Sequence, residues 1–190
     1  TRLDVSDRQA VHSFASEVGV VHGGAALVFN NAGIAAGGTF ERVSEADFDR
    51  VMAVNLDGVV TMTRAFLPQL RAADEARIVN ISSLFGLIAP AGQTAYSASK
   101  FAVRGFSNAL RHELEQEGAR VGVTVVHPGG VATRIAENAA VPTDATEAEL
   151  AEAAARARKL LVMPPAEAAR IILSGVARRK PRVIVGRDAH

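Results

Sequence analysis

Strand-like and helix-like segments alternate along this chain, and the alternation predicts an α/β fold: a doubly wound parallel sheet with helices on both faces. Two further observations point the same way. The strand-like segments are short continuous apolar runs, as expected where both faces of a sheet are covered. The residues that follow them are small, polar or turn-forming, and in such a sheet ligands bind beyond the carboxyl ends of the strands. With 190 residues and 48% hydrophobic content, the chain can bury one domain-sized core.

The elements follow in order. Ser6-Asp7-Arg8-Gln9 reads as a capping box, and Val11, Phe14 and Val18 continue it at helical spacing. Residues 25–30 form the first apolar strand. Ser44 caps a long helix over residues 44–70, with the stripe Phe48, Val51, Met52, Asn55, Leu56, Val59, Thr63, Phe66 and Leu67; Pro68 is expected to end or bend it. Residues 77–82 make the next strand, a Gly/Ala/Pro loop follows, and a helix runs over residues 95–116. Residues 121–126 are a third strand, broken off at His127-Pro128-Gly129-Gly130. Thr146 and Glu149 can cap an Ala/Glu-rich helix whose stripe, Leu150, Ala154, Ala157 and Leu161, is thin in large side chains, so residues 143–161 are expected to be weakly held and mobile. Pro164-Pro165 opens another helix, and residues 182–185 are a last strand.

Composition excludes several function classes. Net charge is +1, with acidic and basic residues interspersed, so neither nucleic acid nor anionic membrane is favoured as a partner. Arg178-Arg179-Lys180 closes a helical pattern and is read as favourable charge at a helix C-terminus. The absence of cysteine removes disulfides, thiolate metal sites and a Cys nucleophile, and no metal site is expected. No apolar run reaches the ~18 residues of a membrane span. Asp4, Asp7 and Arg8 interrupt anything resembling a signal peptide. A soluble cytoplasmic protein is the expectation.

Tyr96 and Lys100 lie four apart at the start of a helix and so project from one face. A phenol titrating near ~10 is a poor acid-base catalyst at neutral pH. A neighbouring ammonium favours the phenolate and makes proton exchange with an alcohol or carbonyl feasible. That spacing alone is weak evidence, since a surface Tyr-x-x-x-Lys pair arises often by chance. Ser83 follows a strand and stands ahead of Tyr96. Asn55 is a polar amide on an apolar stripe, where it must find partners or cost ~1–3 kcal/mol; core hydrogen bonding and a catalytic role both fit it.

Taken together these residues resemble the short-chain dehydrogenase/reductase (SDR) family. Asn30-Asn31-Ala32-Gly33 matches its N-N-A-G motif, and Asn55 with Gly58 its N-x-x-G motif. Ser83, Tyr96 and Lys100 match S…Y-x-x-x-K, and Pro128-Gly129-Gly130-Val131-Ala132-Thr133 matches P-G-x-V-x-T. Asp4-Val5 looks like the family's D-V pair. The motifs stand in the family's order, from Asp4 to about Val185. The resemblance implies a Rossmann-like fold and NAD or NADP as cofactor, with a secondary alcohol or ketone as substrate. Asn55, Ser83, Tyr96 and Lys100 would be catalytic: Tyr96 the general acid or base, Lys100 lowering its pKa and holding the nicotinamide ribose, Ser83 bonding the substrate oxygen, Asn55 holding a water in a proton relay. Asp4, Asn30, Ala32, Gly33, Pro128, Gly129, Val131 and Thr133 would border the cofactor, along with Tyr96 and Lys100. Residues 135–163 would close over the substrate as a lid. The long helices would form homodimer or homotetramer contacts.

One feature of the family has no counterpart here, the Gly-rich turn that cradles a pyrophosphate at a helix N-terminus. Gly23-Gly24 and Gly37-Gly38 have the wrong spacing. The chain is therefore expected to be a single SDR domain lacking the first βαβ unit, and to stop early after Arg187. Residues 25–30 should then be paired on one side only, with residues 1–4 away from the sheet. Preference between NAD and NADP is unreadable, because the selecting residue would precede Asp4. Among other motifs, Gly105 to Ala109 imitates a nucleophile elbow inside a helix, and His112-Glu113 lacks its second zinc ligand at Gln116. His127 is open to two readings, site lining or, favoured, turn stabilisation. The rival to an oxidoreductase is a dinucleotide-binding or scaffold protein that keeps the fold without catalysis. The matched Asn55, Ser83, Tyr96 and Lys100 argue against it, since a binding module needs no proton-transfer pair.

Overall fold

In the computed structural model residues 1–186 are described, and the expectation concerning the segment after Arg187 falls outside them. Four strands form one parallel sheet in the order β1 (Leu27–Asn30), β2 (Ala76–Ile81), β3 (Val121–Pro128), β4 (Arg182–Val185). Asn30 stands opposite Asn80, Ile81 opposite Val126, and Pro128 opposite Val185, so all carboxyl ends lie at one edge of the sheet.

Alternation along the strands divides the core in two. Val28, Ile78, Val121 and Val123 pack with Ala15, Phe66, Leu70 and Leu114 from α1 (Arg8–His22), α3 (Gly58–Ala72) and α4 (Thr94–Gln116). The rings of Phe14 and Phe66 meet edge to face at 5.8 Å. Val79, Val126, Val183 and Val185 turn the other way, onto Ala168, Ile171 and Ile172 of α6 (Pro165–Ala177). Each fully buried aliphatic side chain in these layers contributes ~1.5–3 kcal/mol relative to exposure. The sheet is thus covered on both faces, as the doubly wound pattern requires. A third cluster, Ala36, Val51 and Ala95 with Phe48, joins α2 (Glu45–Met52) to the start of α4.

The details depart from expectation in instructive ways. The first helix is capped by Asp7, whose carboxylate accepts from the Ala10 N–H at 2.9 Å; Ser6 instead donates to Asp4 from both its N–H and its hydroxyl. The long helix over residues 44–70 is two helices joined by a π-helical turn, Ala53–Asp57, with Asn55 in it. Ser44 caps it as predicted. Pro68 does not end the helix, which runs on to Ala72. Burial of Phe66 and of Leu70 outweighs the missing N–H of Pro68. β3 continues past residue 126 because His127 and Pro128 pair with Ile184 and Val185 of β4. Arg178 closes α6 by donating to the Ser174 carbonyl and hydroxyl, which accords with the reading of the basic cluster as helix-end charge.

Among the described residues β1 pairs with β2 alone and forms the sheet edge, with Leu27 and Phe29 exposed. Thr1 to Asp4 carry no strand pairing. Among the described residues no helix is long and apolar enough to cross a membrane.

Candidate active site

Beyond the end of β2 the chain makes a single 3-10 turn, Leu84–Gly86, before reaching α4. Ser83 caps that turn, its hydroxyl accepting from the Phe85 N–H at 3.1 Å. A Cβ at Gly86 would come within 2.8 Å of the Lys100 carbonyl, so glycine is what allows the turn to lie on α4. Ser82 ties the same two elements, its hydroxyl donating to the Lys100 carbonyl at 2.8 Å. One helical turn separates Tyr96 from Lys100, so the two share a face as expected. The ammonium lies 5.6 Å from the centre of the Tyr96 ring, and Phe85 meets that ring edge-on at 6.2 Å.

Electrostatics here are set by burial. Lys100 is 3% exposed, and loss of hydration brings its pKa down to about 8. Its Nζ donates to the Ile81 carbonyl at 2.9 Å. Burial likewise pushes the half-buried Tyr96 phenol above its ordinary value, and the side-chain hydrogen bond with Ser83 pulls it partly back. The lowering expected from Lys100 is therefore not the dominant effect in this geometry. The ammonium is engaged by a backbone carbonyl, and desolvation of the phenolate outweighs it.

Asn55 is fully buried and fully used. Its Oδ1 accepts from the Ile34 N–H at 2.9 Å, while its Nδ2 donates to the Ile34 carbonyl at 2.9 Å and to the Ser99 hydroxyl at 3.0 Å. Ser99 in turn donates to the Tyr96 carbonyl at 2.7 Å. The π-helical turn is what swings Asn55 towards both the loop after β1 and α4. A Cβ at Gly33 would stand 3.4 Å from both Lys100 Nζ and Asn55 Oδ1, so the N-N-A-G segment, Asn55 and the Lys100 head converge.

Other predicted residues lie around this centre. The Asn30 side chain turns inward, donating to Asn80 Oδ1 at 2.8 Å, and Asn80 donates on to Ser107. A shallow groove is lined by Val5, Phe29, Asn30, Asn31, Ala32, Val54 and Gly58. Asp4 lies next to Val5, its carboxyl held below its usual value by the two Ser6 hydrogen bonds. At the end of β3, the Gly129 N–H donates to the Val185 carbonyl, and Val131 bridges Met163. Ala132 also donates to the Met163 carbonyl, so the two ends of the 135–163 segment are stitched together beside Thr133.

The profile of the short chain dehydrogenase family matches residues 1–144. The chain belongs to that family. An oxidoreductase named SadH from Mycobacterium tuberculosis is 46% identical over 188 residues, 99% of this chain and 67% of that protein. A short-chain dehydrogenase/reductase from Burkholderia phymatum, solved in complex with NAD, superimposes with a TM-score of 0.88 at 30% identity, over 97% of this chain and 69% of its own. A short-chain dehydrogenase from Streptomyces avermitilis does so with 0.83 at 32% identity, over 100% and 70%. This short-chain dehydrogenase chain thus spans about two thirds of the length of these relatives. Its chemistry is that of an oxidoreductase.

Sequence reasoning missed Ser99. A signal existed, since serines inside a helix interior are disfavoured unless they hydrogen-bond. Yet Ser97-Ala98-Ser99 gives no indication that Ser99 and not Ser97 meets Asn55.

Proposed function

We propose that this short-chain dehydrogenase transfers hydride between NAD or NADP and a secondary alcohol or ketone, with Asn55, Ser83, Tyr96 and Lys100 as its catalytic residues. The observation that carries this reading is the junction of Ser83, Tyr96 and buried Lys100 where β2 meets α4. The groove beside Val5, Asn31 and Ala32 suits a flat adenine ring, and the glycine at position 33 leaves room beside the Lys100 ammonium for ribose hydroxyls. Asp4 would meet the adenine, Asn30, Ala32 and Gly33 would line the cofactor cleft, and Pro128, Gly129, Val131 and Thr133 would border the nicotinamide. When bound, the nicotinamide supplies or accepts the hydride at the substrate carbon. Ser83 holds the substrate oxygen by a hydrogen bond. Tyr96 gives that oxygen its hydroxyl proton in reduction and takes it back in oxidation. Lys100 would grip the ribose and place a positive charge 5.6 Å from the Tyr96 ring centre, where it would favour the phenolate. Asn55, through Ser99, steadies the first turns of α4, which carry Tyr96 and Lys100.

The test is NAD(P)H oxidation by the complete protein with a panel of ketones, and NAD(P)+ reduction with the matching secondary alcohols. Turnover with any member supports the reading. Tight dinucleotide binding without turnover across the panel would favour the non-catalytic alternative, for which no observation speaks at present.

We further propose that the described residues belong to one Rossmann-like domain in which residues 135–163 are the substrate lid. The protein would be cytoplasmic and would self-associate as a homodimer or homotetramer through α2–α3 and α4, where Phe101 is an exposed aromatic. The lid reading rests on α5 (Glu147–Leu160), which buries no residue. The capping box of Thr146 and Glu149 is formed as predicted. What ties the segment across is Arg42, which donates to Asp144 at 3.0 Å and to Glu149 at 2.8 and 3.3 Å. This pairing, with help from Thr146, brings the Glu149 carboxyl down to about 2. Hydrogen exchange should therefore be fastest in α5 among the helices. Arg42→Ala should speed exchange there a further ~3–10-fold without altering β3. Protection of α5 equal to that of β3 in the free protein would refute the lid.

A further inference from the structure

His127 lies in β3, opposite Ile184 of β4, and has no solvent exposure. Its Nδ1 is 3.0 Å from the Ser83 carbonyl oxygen. A carbonyl only accepts, so Nδ1 carries the proton. Nε2 is then the bare lone pair of a neutral ring, and it has no hydrogen-bond partner. Burial of the ring, followed by the positive charges of Arg104 of α4 and Arg182 of β4, holds the His127 pKa below its ordinary value, against the opposing pull of the Ser83 carbonyl bond. The geometry selects the Nδ1–H tautomer of the neutral ring.

The recipient of that proton is the backbone of the residue that meets Tyr96. The Ser83 carbonyl also accepts from the Gly86 N–H at 3.0 Å, so the peptide group is held from the 3-10 turn on one side and from β3 on the other. Ser83 is extended, at φ −164° and ψ 168°, and extended backbone alone does not set where its hydroxyl points. Holding the carbonyl orients the Ser83 Cα–Cβ bond, and the Phe85 N–H bond to Oγ at 3.1 Å then sets the hydroxyl relative to the Tyr96 phenol. We propose that His127 is a positioning residue of the active site, holding Ser83 by an Nδ1–H···O=C bond so that the Ser83 hydroxyl meets Tyr96 and the substrate oxygen. The proposal deepens the catalytic reading above and rests on it. His127 itself touches neither substrate nor cofactor.

The test exploits the two amide isosteres. Asparagine places its N–H close to the Nδ1 position, glutamine close to Nε2. In the complete protein, H127N should keep turnover within about fivefold of wild type, whereas H127Q should lose about 10–100-fold in kcat with cofactor affinity unchanged. H127Q should also raise the apparent pKa of the Tyr96 step in the pH–rate profile, because a displaced Ser83 no longer lowers it. In a Ser83→Ala background, H127Q should cost less than about twofold more, since the two residues act through one group. Nitrogen-15 NMR of the wild-type ring should report the Nδ1–H tautomer at neutral pH. Equal losses in H127N and H127Q, full additivity with Ser83→Ala, or an Nε2–H tautomer would each overturn the proposal. If Ser83→Ala and Tyr96→Phe leave turnover intact, the catalytic reading fails instead, while the tautomer still reports the His127–Ser83 contact on its own.

Discussion

Tyr96→Phe is expected to lower turnover by ~10²–10⁴-fold while leaving NAD(P)H affinity within about twofold. The substitution removes one oxygen and its proton and keeps the ring that packs against Phe85 at 6.2 Å. The ring therefore stays where it is, and what disappears is the group that exchanges a proton with the substrate oxygen. The Ser83 hydroxyl loses its Tyr96 partner in the same change, yet keeps the Phe85 N–H at 3.1 Å. Steady-state kcat together with a cofactor titration on the complete protein checks this. Activity within threefold of wild type would remove Tyr96 from the mechanism and, with it, the reason for placing the site where β2 meets α4.

Lys100→Met should damage both functions asked of one ammonium and yet raise stability. Turnover is expected to fall by ~10²-fold or more, with cofactor affinity reduced as well, because the charge beside Tyr96 and the ribose donor vanish together. The stability effect follows from burial. Lys100 titrates at about 8 in the folded chain against 10.5 for the free side chain. Between those values the unfolded chain holds a proton that the folded chain does not, so stability contributed by this group rises with pH across the window. Its penalty is in full force below pH 8. Methionine carries no such penalty, and the variant should be more stable than wild type by about 1–3 kcal/mol at pH 7, the advantage shrinking from pH 8 to 10.5. Thermal unfolding across that pH range, beside kinetics, separates the two effects. Unchanged turnover with an unchanged alkaline limb would mean that Lys100 does not tune Tyr96.

Much of the architecture was legible because its signals are local. The apolar runs at residues 25–30, 77–82 and 121–126 read as strands covered on both faces, their alternation with helices implied a parallel sheet, and Ser44 and Thr146 announce their helices within four residues. The first cap was misplaced by one residue because Ser6 and Asp7 are equally good caps in sequence; Asp4, three-dimensionally adjacent, draws Ser6 away. Pro68 misled for a related reason. Its local cost is real, but the burial of Leu70 against the sheet is settled by residues far along the chain.

The sequence by itself determined the doubly wound α/β class and the order of its elements, which follow from periodicity and turn chemistry acting over short stretches of chain. Asn55, Ser83, Tyr96 and Lys100 were singled out as a set only by their resemblance to the family's motifs. Tertiary structure alone decided how the set is wired. The Asn55–Ser99 bond spans 44 residues, as does the contact of His127 with Ser83, and Arg42 reaches Glu149 across 107. Asn30, read as a cofactor residue, turned its side chain to Asn80 because strand register set two amides opposite each other. A hydrogen bond needs its partner within ~3 Å and in line, and no pattern along the chain records which distant carbonyl, hydroxyl or carboxylate the fold will bring there.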